Sequence, residues 1–365
     1  MKRAFRVGLW VLAGLAVAVV GYLVVAPTGR YLLRAAWEEG RILARRRPIA
    51  ALIADSATSP GVRAKLQVVL DARAFAQDSL HLTAKESFTT YSRLDHDTLV
   101  LVLSGAYRDR LEPVTWWFPV VGRVPYKGYF DFAAARRAAS ALRARGFDAY
   151  VRPSPAFSTL GFFNDPLLST TLEADSLELA NTVIHELTHN TFYAAGHADF
   201  NESFANFVGA RGAEWFFRSR GDSLAARVVA ARWHDEKLLA AFWARLYQAI
   251  DSVYRAHPGS VQARVAAHDS VYARARLELV DSLAPRLATI DPRYLADMPL
   301  DNAVLLAQRI YHTDLDDFDA LYDKEGHNLN RTVSRIIELA RAHPDDPFEA
   351  LHVAASAASL KASAH

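Results

Sequence analysis

The chain has 365 residues, 51% of them hydrophobic and 22% charged, enough to bury a sizeable core in one large domain or two modest ones. Its 42 basic and 40 acidic residues leave a formal charge of +2 with the signs mixed along the chain, which excludes a domain-wide basic face for nucleic acid. There is no cysteine, so disulfides, thiolate metal sites and a cysteine nucleophile are excluded, and any metal must be held by His, Asp or Glu.

Residues 5–26, FRVGLWVLAGLAVAVVGYLVVA, carry one early charge, Arg6, and no other. As a helix they would reach roughly 33 Å, the thickness of a bilayer's hydrocarbon core. The run is longer than a signal-peptide core, and its best cleavage point, after Ala26, is followed by Pro27. The expectation is an uncleaved single-pass membrane anchor over residues 1–26. Basic residues flank it on both sides (Lys2, Arg3 and Arg6 before; Arg30, Arg34, Arg41, Arg45 and Arg46 after), so charge alone does not decide its orientation. Residues 27–60 have helical spacing of apolar positions and read as a juxtamembrane stalk, whose RILARRRP segment suits anionic headgroups as well as a solvated helix end.

Ser59-Pro60-Gly61 breaks that pattern and opens another helix over about residues 62–77, where a domain running to residue 365 begins. From Thr98 the texture turns β-rich: TLVLVLSGAY, VTWWFPVV and FDAYVRP read as strands. A helix with Asp131 at its N-cap and Gly146 past its end separates the last two. AFSTLGFFNDPLLSTTL offers two short strands around an Asn-Asp-Pro turn. Helices follow at about 177–194 and 201–218. Two long amphipathic helices then join at His257-Pro258-Gly259-Ser260, and shorter helices fill the C-terminus.

The chemistry concentrates in VIHELTHNTFYAAGHADFNESFANFVG, residues 183–209. His185 and His189 are one helical turn apart, so both imidazoles project from one face and can hold one tetrahedral Zn²⁺. Glu186 lies about 100° around the helix beside that face, where a carboxylate takes a proton from water held at the metal. A glycine and a third histidine shortly downstream would complete one known pattern, but Phe192 and Ala195 occupy those positions. That leaves a carboxylate for the third ligand, and Glu202 is suited to it if its helix folds back against the first. Alternatives remain open: Asp199 and Glu202 have the spacing of a capping box, and Asp199 or His197 could ligate instead. Asn206, one turn past Glu202, could accept the far N–H of a ligand histidine.

In order along the chain, RRRPI, WWFPVVGRVPYKGYFD, FSTLGFFNDPLLSTTL, VIHELTHNTFY, FNESFANFVG and, more faintly, PLDNAVLLAQRIY make it resemble a family of predicted bacterial zinc aminopeptidases. These are HExxH gluzincin-like proteins, mostly membrane-associated or lipoproteins. Members often carry cysteines near the WFP and GYF segments. Here Trp117 and Arg123 stand at those places.

The resemblance and the motif together imply a helix-rich α+β, zincin-like metallopeptidase domain on an N-terminal transmembrane helix, facing the extracytoplasmic side. It would cleave peptides, with zinc on His185, His189 and Glu202, Glu186 as base and then acid, and Tyr311 as oxyanion donor. FSTLGFF, just before the motif helix, is placed to be an edge strand that a peptide substrate joins. WWFP and YKGYF could line the cleft but suit core packing as well. The rival reading is a membrane-anchored binding or assembly protein on a zincin scaffold, its zinc structural or its site occluded.

Overall fold

The computed structural model describes residues 2–95, 98, 100–118, 122–154 and 166–356. It is a helix-rich α+β protein with a small antiparallel sheet on one side of the helices that carry the histidines.

Helix Lys2–Val25 covers the apolar N-terminal run and gives way at Ala26 to helix Pro27–Ala44, whose Pro27 needs no intrahelical N–H partner in the first turn. The anchor expected over residues 1–26 is not supported: among the described residues no helix is long and apolar enough to cross a membrane. The stretch expected to be a stalk lies against the domain. Ser92 Oγ donates to the Ile42 carbonyl at 2.8 Å, Arg41 and Arg45 both pair with Asp95, and the Tyr31 ring meets Phe118 at 5.3 Å between centroids. The basic RILARRRP segment therefore has a protein partner on at least two of its arginines.

Helix Pro60–Asp78 starts where the Ser-Pro-Gly break places it, with Ser59 Oγ accepting from the Val62 N–H at 3.4 Å. Its buried face of Leu66, Val69, Ala72 and Ala76 recurs at helical spacing and joins the main core.

Strand Val100–Tyr107 sits between Tyr126–Tyr129 and Phe147–Ser154, antiparallel to both. Helix Phe132–Ala144 covers one face of this sheet and buries Ala135, Ala139 and Leu142 on it. Asp131 caps the helix by accepting from the Ala134 N–H at 3.0 Å, and Gly146, at φ +82°, makes the turn out of it. The strand expected over VTWWFPVV is shorter: Trp116–Phe118 pairs with Gly122–Val124, and residues 119–121 lie outside the described residues.

A second small sheet aligns Arg47–Pro48, Thr90–Ser92 and Leu167–Leu168. FSTLGFF, expected as a substrate-pairing edge, falls at 157–163, outside the described residues.

The motif helix, Ser176–Thr191, is the centre of the main core, with Leu179, Ala180, Val183, Ile184 and Leu187 all buried. Asp175 caps it, accepting from the N–H groups of Leu177 and Glu178 at 3.0 and 2.9 Å. Helix Ala198–Ser219 packs back along it, and helix Ser223–Ala256 packs on that in turn. Val261–Leu277 returns beside the long helix, and their shared apolar surface forms a second core around Phe242, Trp243, Ile250, Val271 and Leu279.

Candidate metal centre

The two helices of the site approach closely because glycines stand at the crossing. A Cβ on Gly209 would lie 2.4 Å from Asn181 Oδ1 and 3.3 Å from His185 Cβ. One on Gly212 would lie 2.9 Å from Ile184 Cγ2. No larger residue fits without moving the motif helix. The loop that turns the chain around is fixed from within. Buried Asn201 accepts from the Ala194 N–H at 2.7 Å and donates to the Ala194 carbonyl at 2.8 Å. Its neighbours divide the work: Phe200 and Phe204 enter the core, and Ser203 Oγ accepts from the Thr313 N–H at 3.2 Å. Glu202, on the remaining face, points at the motif helix.

His185, His189 and Glu202 therefore converge. The two Nε2 atoms are 3.1 Å apart, and Glu202 Oε2 lies 3.4 Å from His185 Nε2 and 3.7 Å from His189 Nε2. One donor atom from each residue can be chosen so that all three lie within 4.8 Å of one another. The imidazoles are nearly perpendicular, at 83°, as two ligands on one face of a helix would be. Glu186 follows His185, half-buried.

Three lone-pair donors facing one point need a positive charge between them, whether a proton or a cation. Burial would raise the Glu202 carboxyl, but its hydrogen bonds to His185 and His189 hold it far below the ordinary carboxylate range. Burial pushes His185 toward neutrality, and Glu202 with the nearby Glu186 outweighs it, so its pKa is raised. Two imidazoles and one carboxylate, with donors 3.1 to 3.7 Å apart, fit a zinc ion, whose bonds to such ligands are about 2.0–2.2 Å.

The alternatives for the third position separate cleanly. Asp199 Oδ1 accepts from the Phe200 N–H, and His197 Nε2 sits 2.9 Å from the Pro344 carbonyl, both away from the histidine pair. His197, not Asp199, occupies the N-cap position, so no capping box ties up Glu202.

Asn206 does not reach a ligand histidine. Its amide donates to the Tyr311 carbonyl at 3.0 Å, which brings Tyr311 to the helix face one turn past Glu202. Burial raises the Tyr311 phenol pKa, and the Glu202 charge raises it further. Of the aromatic segments, Phe118 is buried and Trp117 exposed, while Tyr126 feels the charge of Glu202 and so belongs to the site's surroundings.

A cleft of about 930 Å³ is lined by Asn206, Tyr311, Arg152, Glu178, Arg232 and Glu236 among others; His185, Glu186, His189 and Glu202 are not among its lining residues, and it adjoins them through Asn206, one turn past Glu202. Glu178 precedes His185 by two helical turns, so the cleft follows the face that bears the histidines.

With this geometry in hand, comparison with known proteins is decisive at the family level. Residues 30–351 match the family described as "Putative aminopeptidase". The chain belongs to that family. Membership supports a peptidase acting on peptide substrates. No curated protein and no solved structure matches the chain.

Proposed function

We propose that this family member is a zinc-dependent peptidase with a zincin-like catalytic domain. The ion would be held by His185, His189 and Glu202. The observation that carries the reading is the convergence of two imidazole nitrogens and one carboxylate oxygen from adjacent helices, beside a cleft large enough for a peptide. The set has three members among the described residues. Three protein ligands are the mark of catalytic zinc, and four the mark of the structural zinc in the rival binding-protein reading.

Zinc, when bound, would supply Lewis acidity toward a carbonyl and make water a better nucleophile near neutral pH. Glu186 would take the proton from the attacking water and deliver it to the leaving amine. The Tyr311 hydroxyl would donate to the oxygen on which charge develops. The phenolic oxygen of Tyr311 accepts from Arg152 Nη2 at 3.5 Å, which leaves the phenolic proton for a group in the cleft. Placement outside the cytoplasm, expected from the sequence, is a separate proposal, tested by protease accessibility in intact spheroplasts.

Zinc analysis of the purified full chain together with turnover of a mixed peptide library tests the reading. Glu186→Gln keeps the size of the side chain and the metal ligands. It is expected to retain zinc at the wild-type ratio while kcat falls at least a hundredfold, about 2.7 kcal/mol. A zinc-loaded wild type that cleaves no member of the library, or a Glu186→Gln protein as fast as wild type, would sink the proposal.

A further inference from the structure

Arg152 and Arg232 both line the cleft, and they differ in their partners: Arg232 is clamped by Asp175 with Glu178 behind it. Arg152 has no carboxylate within salt-bridge reach among the described residues. Among the described residues its guanidinium meets Tyr311: Nη2 is 3.5 Å from the hydroxyl, and the charge sits 5.6 Å from the ring centroid. The residue belongs to strand Phe147–Ser154, whose backbone pairs along its whole length with Val100–Tyr107, which fixes the point from which the side chain reaches Tyr311. It lines the cleft, and Tyr311 links it to the metal centre through Asn206, one turn from Glu202.

A cation kept partly out of water without a counter-ion is costly, and a guanidinium presents a planar fork that suits a carboxylate. Glu178 and Glu236, which also line the cleft, have partners of their own: Glu236 lies 2.5 Å from His312 Nε2, and Glu178 shares Arg232 with Asp175. Among the described residues, a ligand in the cleft would find Arg152 without a carboxylate partner.

We propose that Arg152 is the specificity-determining residue of the cleft and binds a carboxylate of the peptide substrate near the scissile bond, with the Tyr311 ring holding the guanidinium in position. The carboxylate comes either from the substrate's C-terminus or from an Asp or Glu side chain. In the first case the enzyme acts on short peptides, and in the second it prefers acidic sequences. This inference rests on the peptidase reading and gives it a substrate class.

The test uses full-length protein inactivated by Glu186→Gln and calorimetry with four pentapeptides of otherwise equal sequence: free C-terminus, C-terminal amide, amide with one internal Asp, and amide with Asn in its place. At least one carboxylate-bearing probe is expected to bind at least tenfold more tightly than its neutral counterpart, and which pair separates names the source. Arg152→Gln on the same background abolishes that difference, and Arg152→Lys, which keeps the charge, restores part of it. Melting curves of both variants near the wild-type temperature exclude misfolding as the cause. Equal affinity within each pair overturns the carboxylate site, as does a difference that survives Arg152→Gln. Library hydrolysis by the protein with Glu186 intact separates the two failures: cleavage without carboxylate preference leaves the peptidase standing, and no cleavage removes both.

Discussion

Two histidine-carboxylate clusters in this protein differ in what their atoms face. At the metal centre, His185, His189 and Glu202 aim donor atoms at one point beside an open cleft. In the second core, His268 is buried with its ring nitrogens directed to opposite partners, Asp148 at 3.3 Å and Asp269 at 2.8 Å. Asn302 next to it is fully buried and saturated. Its amide gives to the Tyr107 carbonyl and the Tyr254 hydroxyl, both at 2.7 Å, and its oxygen accepts from Tyr272 at 2.9 Å. The buried polar groups there, His268, Asp148 and Asn302, bond inside the fold, so the cluster joins the sheet to the long-helix pair. The first cluster turns its donor atoms toward one another, 3.1 to 3.7 Å apart. Residue type alone does not tell the two clusters apart, and convergence does.

Substitutions that break one cluster and spare the other sharpen this contrast. Asn302→Ala leaves the Tyr272 hydroxyl without its acceptor and removes a donor from the Tyr107 carbonyl and from the Tyr254 hydroxyl, which still donates to the Arg108 carbonyl. It is expected to lower stability by about 3–5 kcal/mol in urea unfolding while zinc affinity stays within threefold of wild type. Loss of zinc binding in a protein still folded would show that the two clusters are not independent. Gly209→Ala places a methyl group against Asn181 and His185 and is expected to lower stability by about 1–3 kcal/mol. Because it spreads the site helices, it should also weaken zinc about tenfold. Unchanged zinc affinity would mean that the helix spacing does not set the ligand geometry.

The smallest effect concerns pH. Burial, with the nearby Asp148 charge second, pushes the Asp301 carboxyl up to about 6. The folded state then holds this proton more tightly than the unfolded chain. Stability from this group is full below the unfolded carboxylate value near 4 and falls as pH rises through about 6. Asp301→Asn can keep the cap on the Val304 N–H. It should gain about 1–2 kcal/mol over wild type at pH 8 and nothing at pH 4, read from melting curves at both. A gain of equal size at both pH values would dismiss the titration.

What the sequence disclosed follows the range of the interactions. His185 and His189 were legible because four residues is one helical turn, and Asp131 with Gly146 marked a helix because caps are local. Glu202 required its helix to fold back against the motif helix, which local spacing does not specify; Asn201 and the glycines at 209 and 212 specify it by contacts with the loop and the motif helix. Tyr311 was picked out by its segment, yet its link to Asn206 spans 105 positions. Arg152 went unnoticed, because its contact with Tyr311 spans 159 positions and lies in a strand that reads as ordinary edge sequence. Beyond the apolar N-terminus, Arg41 and Arg45 of the stretch read as a stalk pair with Asp95, contacts that span 54 and 50 positions and that local spacing does not disclose.

The central claim is that Glu202 is a metal ligand, and zinc titration of wild type and Glu202→Ala under a competing chelator tests it most directly. Wild type is expected to bind one zinc per chain. Glu202→Ala should bind at least a hundredfold more weakly, with a melting temperature that recovers in part as zinc is added, since metal stabilises only the state that holds it. If Glu202→Ala binds zinc as tightly as wild type, Glu202 is not a ligand, and the centre as described here is wrong.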